Sequence, residues 1–456
     1  MAPLSKAGTA LAELRDDLCG EVLAPGDPGY DDARTVFNAM VDRRPAVIAR
    51  CESEADVVTA VRFARELDLK IAVRGGGHSV AGDGLGDGAL VVDLRRMNEV
   101  TVHPAAGAVR VGGGALMGDL DRACAPYAVA TTGGRVSTTG VGGLVLGGGS
   151  GWLDRAFGLS VDNLLGVDLV TADGETLTAT AEDRPELFWA LHGGGGNFGV
   201  ATSLTLRTHP LPAFAVALLL YPPGAGPEVA RVYRDVLEAA PPEAGGELIF
   251  MTGPPAPFVP PELVGTPLCG ALVTFAGTEE ELRKVAAPLL ALAHPAELVT
   301  ALHYADFQCM LDDPPGLRNH WSAEYLTGAP DELLDVFCAR AASTPTQHVL
   351  FPLSGAVADG PTGYPVPYRE APWAVHPFAV WEDPADDARC RQWVKDVRAD
   401  VQPWSTGAVY LNFTGDEGPE RVAAGLGAAN LRRLAEVKAR YDPDNVFRFN
   451  HNIKPA

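Results

Sequence analysis

Gly75, Gly76 and Gly77 run directly into His78 and Ser79. Consecutive glycines leave their N–H groups uncovered, and a row of such donors suits a pyrophosphate. The histidine that follows is either a hydrogen-bonded structural residue or one whose ring nitrogen does chemistry; a single histidine does not choose between them. The glycine pattern recurs. Gly112-Gly113-Gly114, Gly140 with Gly142-Gly143, Gly147-Gly148-Gly149 with Gly151, and Gly193 to Gly196 with Gly199 follow in the same stretch. Each cluster sits beside a short strand or a helix start, such as Ile71-Ala72-Val73 or Val109-Arg110-Val111. One glycine turn is punctuation. Five clusters between positions 75 and 199 imply backbone packed closely against something large and flat.

The common nucleotide motifs do not account for them. A phosphate-binding loop of the Walker type ends in Gly-Lys, and none of Lys6, Lys70, Lys284, Lys395, Lys438 or Lys454 follows a glycine. A Rossmann fingerprint needs a third glycine where Gly149-Ser150-Gly151 continues to Asp154, and it belongs at the start of a βαβ unit. Gly77-His78-Ser79-Val80 ends in Ala81, so there is no nucleophile elbow. The glycines suit a dinucleotide site of another design.

Composition narrows the partners. The chain has 456 residues, enough for two lobes, with 47% hydrophobic and 21% charged residues. A net charge of −22 repels phosphate backbones and anionic lipid, which argues against nucleic acid and membrane. No stretch approaches the ~20 apolar residues of a membrane span. The N-terminal residues hold no apolar run of the secretory kind, so a cytoplasmic location is expected. Seven scattered cysteines, never in a CxxC pair, predict buried thiols rather than disulfides or a metal centre.

The elements that must position these residues are readable in outline. Residues 45–70 read as a strand and then an amphipathic helix, with Val57, Val58, Val61, Ala64 and Leu67 at helical spacing after Ser53 and Asp56. Short strands and turns fill 71–113, and Gly118 to Ala125 reads as a helix. Val167 to Val170 and Thr176 to Thr178 form strands around the turn Ala172-Asp173-Gly174. Residues 185–191 read as a helix and 200–208 as a strand. Composition shifts near 210. Proline-rich connectors then separate helices (279–293 and 330–342) from strands (214–221, 269–275 and 348–357), which predicts an antiparallel sheet covered by helices. Gly407 to Phe413 reads as a strand and 420–440 as a helix.

Six strings, in order, carry a resemblance: RPAVIARCESEADVVTAVRFAR (44–65), IAVRGGGHS (71–79), GVGGLVLGGGSGW (140–152), GLSVDNLLGVDLVTADG (158–174), LFWALHGGGGNFGV (187–200) and YDPDNVFRFNHNIKP (441–455). Together they resemble the berberine-bridge-enzyme-like FAD-linked oxidases of the vanillyl-alcohol-oxidase type, over about 45–212 and 405–456. The resemblance implies an α+β chain with a two-lobed PCMH-type FAD-binding domain, built from 1–212 and 407–456. It also implies an inserted substrate-binding domain over 213–406, an antiparallel sheet with helices. His78 matches the histidine bonded to the flavin's 8α-methyl carbon. Arg74, Gly75, Gly76, Gly77, Ser79, Thr139, Gly140, Gly142, Gly143, Leu144, Gly147, Gly148 and Asn163 are implied to surround FAD, with Val200, Asn450 and Asn452 beside them.

The string Gly134-Arg135-Val136-Ser137-Thr138-Thr139-Gly140 departs from the family pattern. Val136 stands where many members carry a second flavin-linking cysteine, so a single covalent bond is expected. Tyr410 and Asn412 match the family's Tyr-Xaa-Asn strand, in which the tyrosine often removes the substrate's hydroxyl proton. Tyr364 lies in a loosely matching string, Thr362 to Arg369. The expected activity is oxidation of an organic alcohol or polycyclic natural product with O₂ as acceptor. The alternative is a flavin-N5-oxide oxygenase of a bacterial polyketide pathway. Small-molecule substrate and O₂ are the expected partners of a monomer or homodimer.

Overall fold

The computed structural model describes residues 2–312, 314–341, 347–415 and 417–456. A first sheet holds β1 (Glu21–Leu23), β2 (Val47–Arg50), β3 (Ile71–Arg74) and β4 (Leu90–Asp93) in the order β1-β2-β4-β3, with β2, β4 and β3 parallel. A second, antiparallel sheet runs β5-β6-β10-β8-β9 from β5 (Val100–His103), β6 (Ala108–Gly112), β8 (Leu164–Val170), β9 (Thr176–Ala179) and β10 (Val200–Arg207). Between these in sequence, β7 (Val129–Ala130) pairs with β11 (His209–Pro210). The third sheet is the largest. It contains β12 (Ala215–Tyr221), β13 (Ala244–Thr252), β14 (Pro267–Phe275), β15 (Ala296–Ala301), β16 (Arg318–Trp321), β17 (Glu324–Leu326), β18 (Gln347–Pro352) and β19 (Trp373–Trp381). Its order is β15-β12-β14-β13-β18-β19-β16, with β17 also on β19, and every pairing is antiparallel.

Local chemistry explains the elements. Ser53 caps the helix Glu54–Glu66, its Oγ accepting from the Asp56 N–H, and Val57, Ala60, Val61 and Ala64 bury one stripe. On the third sheet one face is covered by Val229 and Tyr233 of helix Gly226–Ala239, Phe337 of Asp331–Ala341 and Trp393 of Asp387–Val401. The other face, through Val349, Phe351 and Ala374, joins one core with Val109 and Leu204 of the second sheet, Val141 and Val145 of the helix Val141–Leu146, and Tyr410.

Several expected elements differ. Gly407 to Phe413 is not a strand. Gly407 is left-handed (φ 77°), and the hydroxyls of Ser405 and Thr406 take the N–H groups of Gly407 and Ala408. Residues Leu411–Phe413 then close a 3-10 turn. The helix expected over 279–293 breaks into Glu279–Val285 and Ala287–Leu290, because Pro288 supplies no N–H. Gly427 (φ 78°) likewise divides 420–440 into Pro419–Leu426 and Ala428–Tyr441. The strand expected over 348–357 ends at Pro352. Not every thiol is buried: Cys19 and Cys309 are exposed. Among the described residues, no helix is long and apolar enough to cross a membrane.

The C-terminal segment is anchored by a fully buried ion pair. Lys438 Nζ donates to Asp442 Oδ2 (2.6 Å), to the Asn197 carbonyl (2.6 Å) and to the Phe447 carbonyl (2.9 Å). Asp442 in turn accepts from the N–H groups of Val446 and Phe447. Lys438→Met leaves that carboxylate uncompensated and is expected to destabilise the fold by about 3–5 kcal/mol, read as a lower denaturant midpoint. A second expectation concerns acid. Burial pushes His192, His320 and His376 down to about 4 and His348 to about 3, from 6.5. Between these values the unfolded chain binds more protons than the folded one. Stability is therefore fully present above pH 6.5 and is expected to fall steadily as pH drops toward 4, as measured by urea melts across that range.

Candidate active site

Strand β3 ends at Arg74, and the glycine turn Gly75–Gly77 leaves its carboxyl end, where parallel sheets place their ligands. None of the N–H groups of Gly75 through Ser79 finds an acceptor among the described residues. Arg74 itself turns inward, donating to the carbonyls of Ala33 and Thr35, so it braces the turn. The facing loop arrives at the helix Val141–Leu146. Here Gly76 and Gly140 touch backbone to backbone: a Cβ on Gly140 would stand 2.3 Å from the Gly76 nitrogen, and one on Gly76 would stand 2.4 Å from the Gly140 nitrogen.

These loops wall a cavity of about 320 Å³ that runs on to the third sheet. Gly143, Gly195 and Gly196 open onto it with no atom within 4 Å of a would-be Cβ. The tail closes it with Phe447, Phe449, Asn450 and His451. Asn450 donates to the carbonyls of Gly196 and Phe447, while its Oδ1 is buried without a partner. Uncovered N–H groups, a glycine cradle that side chains would fill and an orphaned amide oxygen fit a ligand bearing both phosphate and ring.

His78 stands in this cavity. Its ring stacks on Phe37 (3.8 Å between centroids, 22°), and Nε2 lies 2.9 Å from Thr138 Oγ1. Burial pushes its pKa down to about 4, so the imidazole is neutral. Nδ1 has no protein partner among the described residues. Val136 and Thr139 also line the cavity, as do Ser79, Gly142, Leu144 and Gly147.

The sheet side is aromatic with a few polar groups. Trp321 lies 6.3 Å from His78 and stacks on Phe378 at 4.5 Å. Gln347, Val349 and His376 come from β18 and β19. The Arg135 guanidinium sits over Trp152 (4.6 Å) and Phe351 (4.4 Å), and its Nη1 donates to Glu247 Oε2 at 3.2 Å. Burial raises the Glu247 carboxyl, and Arg135 opposes that shift. Asn412 reaches the cavity from the turn Leu411–Phe413. Its Nδ2 donates to the Leu144 carbonyl and to Tyr410 Oη (both 2.9 Å), and its Oδ1 packs where a Gly147 side chain would stand.

Six expected site residues lie off the cavity wall. Tyr410 is 1% exposed; its Oη accepts from the Ser150 N–H (3.1 Å) and from Asn412, and burial pushes its pKa up to about 12. In this arrangement its hydroxyl props the Ser150 N–H and the Asn412 amide. Tyr364 stacks on His192 (3.9 Å) away from the cavity. Asn163 spends its amide on the Phe157 and Leu159 carbonyls and accepts from His209. Gly148 packs against Tyr368, Val200 is core, and Asn452 Oδ1 is buried without a partner. Conversely, Arg135, Glu247, Trp321, Gln347 and His376 were not expected. They share no motif, since each comes from a different strand or loop. One signal was available: a histidine in the otherwise apolar run Trp373–Trp381.

Residues 45–180 match the family profile described as FAD binding domain, and 409–454 match the one described as Berberine and berberine like. The chain is 32% identical to (R)-6-hydroxynicotine oxidase of Paenarthrobacter nicotinovorans, over 96% of this chain and 97% of that protein. The chain belongs to the berberine-bridge-enzyme-like FAD-linked oxidoreductases. An uncharacterized FAD-linked oxidoreductase of Bacillus subtilis (strain 168) is 30% identical over 96% and 99% of the two chains. The crystal structure of 6-hydroxy-D-nicotine oxidase from Arthrobacter nicotinovorans superposes with a TM-score of 0.85 at 28% identity, covering 96% of this chain and 98% of that one. Physcomitrella patens BBE-like 1 shares the fold at 22% identity, with a TM-score of 0.87 over 98% and 99% of the chains. As a member of this family the protein is an FAD-dependent oxidoreductase, and the cavity's donors and open glycines are those such a cofactor needs.

Tyr410→Phe tests the strut reading. It leaves the buried Ser150 N–H unpaired and is expected to lower stability by about 1–3 kcal/mol, visible as a lower Tm with flavin still bound. A folded variant of unchanged Tm that loses all turnover would instead make Tyr410 the base.

Proposed function

We propose that the protein holds FAD through one covalent bond to His78 and oxidises a hydroxyl-bearing aromatic or polycyclic small molecule, passing the electrons to O₂. The observation that carries the covalent reading is His78 itself: a neutral imidazole, one nitrogen engaged by Thr138 and the other uncommitted, at the end of the uncovered glycine turn. A neutral ring nitrogen is a nucleophile; an imidazolium is not. Val136 lines the same cavity and offers no thiol, so a second link is not expected.

Bound FAD would supply the two-electron redox chemistry. Gly75–Ser79, Gly143, Gly195–Gly196 and Asn450 are the residues that would hold it. The chain's own contribution is placement. Asn412, fixed by Leu144 and Tyr410, presents an amide to the cavity; Trp321, Phe378 and Trp152 exclude water and favour a flat substrate. Arg135 and Glu247 give that wall an ion pair, suited to orienting a polar substituent. The hydroxynicotine relative in this fold is named an oxidase, which supports O₂ as acceptor.

Acid precipitation gives the test. The yellow colour is expected to stay in the pellet for wild type and to move to the supernatant for His78→Ala. Equal supernatant colour in both contradicts the covalent reading. Hydrogen peroxide released in step with substrate is the expected sign of the oxidase; a resting spectrum unlike that of ordinary oxidised FAD points to the N5-oxide chemistry instead.

A further inference from the structure

The Tyr410 hydroxyl accepts from the Ser150 N–H and from Asn412, and the Glu247 carboxylate is paired with Arg135, which leaves a histidine as the wall's other candidate proton acceptor. A hydroxyl oxidised to a carbonyl must give its proton to something beside it. His376 on β19 is placed for this. Its Nδ1 lies 2.7 Å from the Ser322 carbonyl, which can only accept, so the hydrogen is on Nδ1 and Nε2 carries a bare lone pair. The ring is held in that orientation by stacking on Phe413 (4.3 Å, 17°) and by edge contact with Trp321 (6.2 Å, 87°). Ser322 is its one hydrogen-bond partner among the described residues, and the residue is 7% exposed, on the cavity wall. Trp321 packs against both rings, 6.2 Å from His376 and 6.3 Å from His78.

We propose that His376, through Nε2, accepts the hydroxyl proton of the substrate; this rests on the alcohol-oxidising reading above. In the step, the substrate O–H bond breaks and its proton passes to Nε2, forming an imidazolium. The oxygen's electron pair forms the carbonyl π bond, and the C–H bond breaks with its hydride, two electrons included, leaving for the oxidised flavin. O₂ later takes those two electrons as hydrogen peroxide, and the imidazolium returns its proton to solvent.

The surroundings keep the lone pair available. Burial first, then the Arg135 charge, pushes His376 down to about 4, against the opposing hydrogen bond to Ser322. Val349 is its partner across β18; His348, which faces Phe337 on the other side of the sheet, is also held neutral by burial. Glu417 accepts from Ser322 Oγ, and Glu417 and Glu324 are both held by Arg398 and Arg421, so among the described residues here neither carboxylate is left free to stabilise a charged ring. So weak a base still suffices. As the hydride leaves, the hydroxyl becomes that of a protonated carbonyl, a much stronger acid than any imidazolium.

The test uses the ¹⁵N-histidine-labelled holoenzyme with benzyl alcohol as probe. The signal lost in His376→Gln is expected to report a neutral ring with hydrogen on Nδ1 near pH 7, and its Nε2 resonance is expected to move when the probe is added. An Nε2–H ring, an imidazolium, or indifference to the probe overturns the proposal. In anaerobic flavin reduction by the same alcohol, His376→Gln and His376→Asn are each expected to lower the limiting rate about 100-fold or more, with half-saturation far less changed. Wild-type rates are expected to fall only as pH drops through about 4. Equal limiting rates in all three proteins overturn it, and an unchanged Tm shows that the variants are folded. A probe that binds at His376 but never reduces wild type contradicts the alcohol reading, whereas a wrong tautomer contradicts His376 alone.

Discussion

Everything about the site depends on two backbones touching without a side chain between them. Gly76 follows the parallel first sheet and Gly140 precedes the helix Val141–Leu146, and neither position has room for a Cβ. That contact sets the separation of two walls built from distant stretches of sequence. Beside it, the N–H groups of Gly75–Ser79 bond no acceptor among the described residues. A larger residue at either position would push the walls apart by the size of a methyl group and turn the donors away from a common centre. The glycines are therefore a condition of the cavity, not a consequence of composition.

A second constraint is charge. The chain is strongly acidic overall, yet its interior keeps ionisable groups either paired or neutral. Lys438 and Asp442 are paired and also satisfied by backbone, as a buried ion pair requires. Burial holds the His78 and His376 rings neutral. This matters for chemistry, since a nucleophilic imidazole and a proton-accepting imidazole both need an uncharged ring. One physical cause, burial, would thus serve both the proposed tether at His78 and the proposed acceptor at His376.

The sequence made the cofactor half legible and the substrate half obscure. Glycine clusters carry conformational and steric meaning at each position, so Gly75–Gly77, Gly140, Gly142, Gly143 and Gly147 could be read directly, and they stand on the cavity wall. Asn163, Val200 and Asn452 belong to the same strings but serve as cap, core and tail packing, a distinction that only three-dimensional neighbours make. Tyr410 and Asn412 show the limit well. Their spacing suggested a strand with both side chains at work, but left-handed Gly407 and local hydroxyl bonds bend the segment, and the two residues divide the labour as strut and presenter. Arg135, Glu247 and His376 meet only because β13 and β19 share a sheet; no local pattern encodes that meeting.

The central claim is the bond between His78 and the flavin, because the placement of the remaining groups is argued from it. Mass spectrometry of the denatured, protease-digested protein tests it most directly. The account predicts that the peptide containing His78 carries the added mass of the flavin, on that residue alone, and that the peptide containing Val136 is unmodified. An unmodified His78 peptide, with all flavin recovered free in the filtrate, would contradict it.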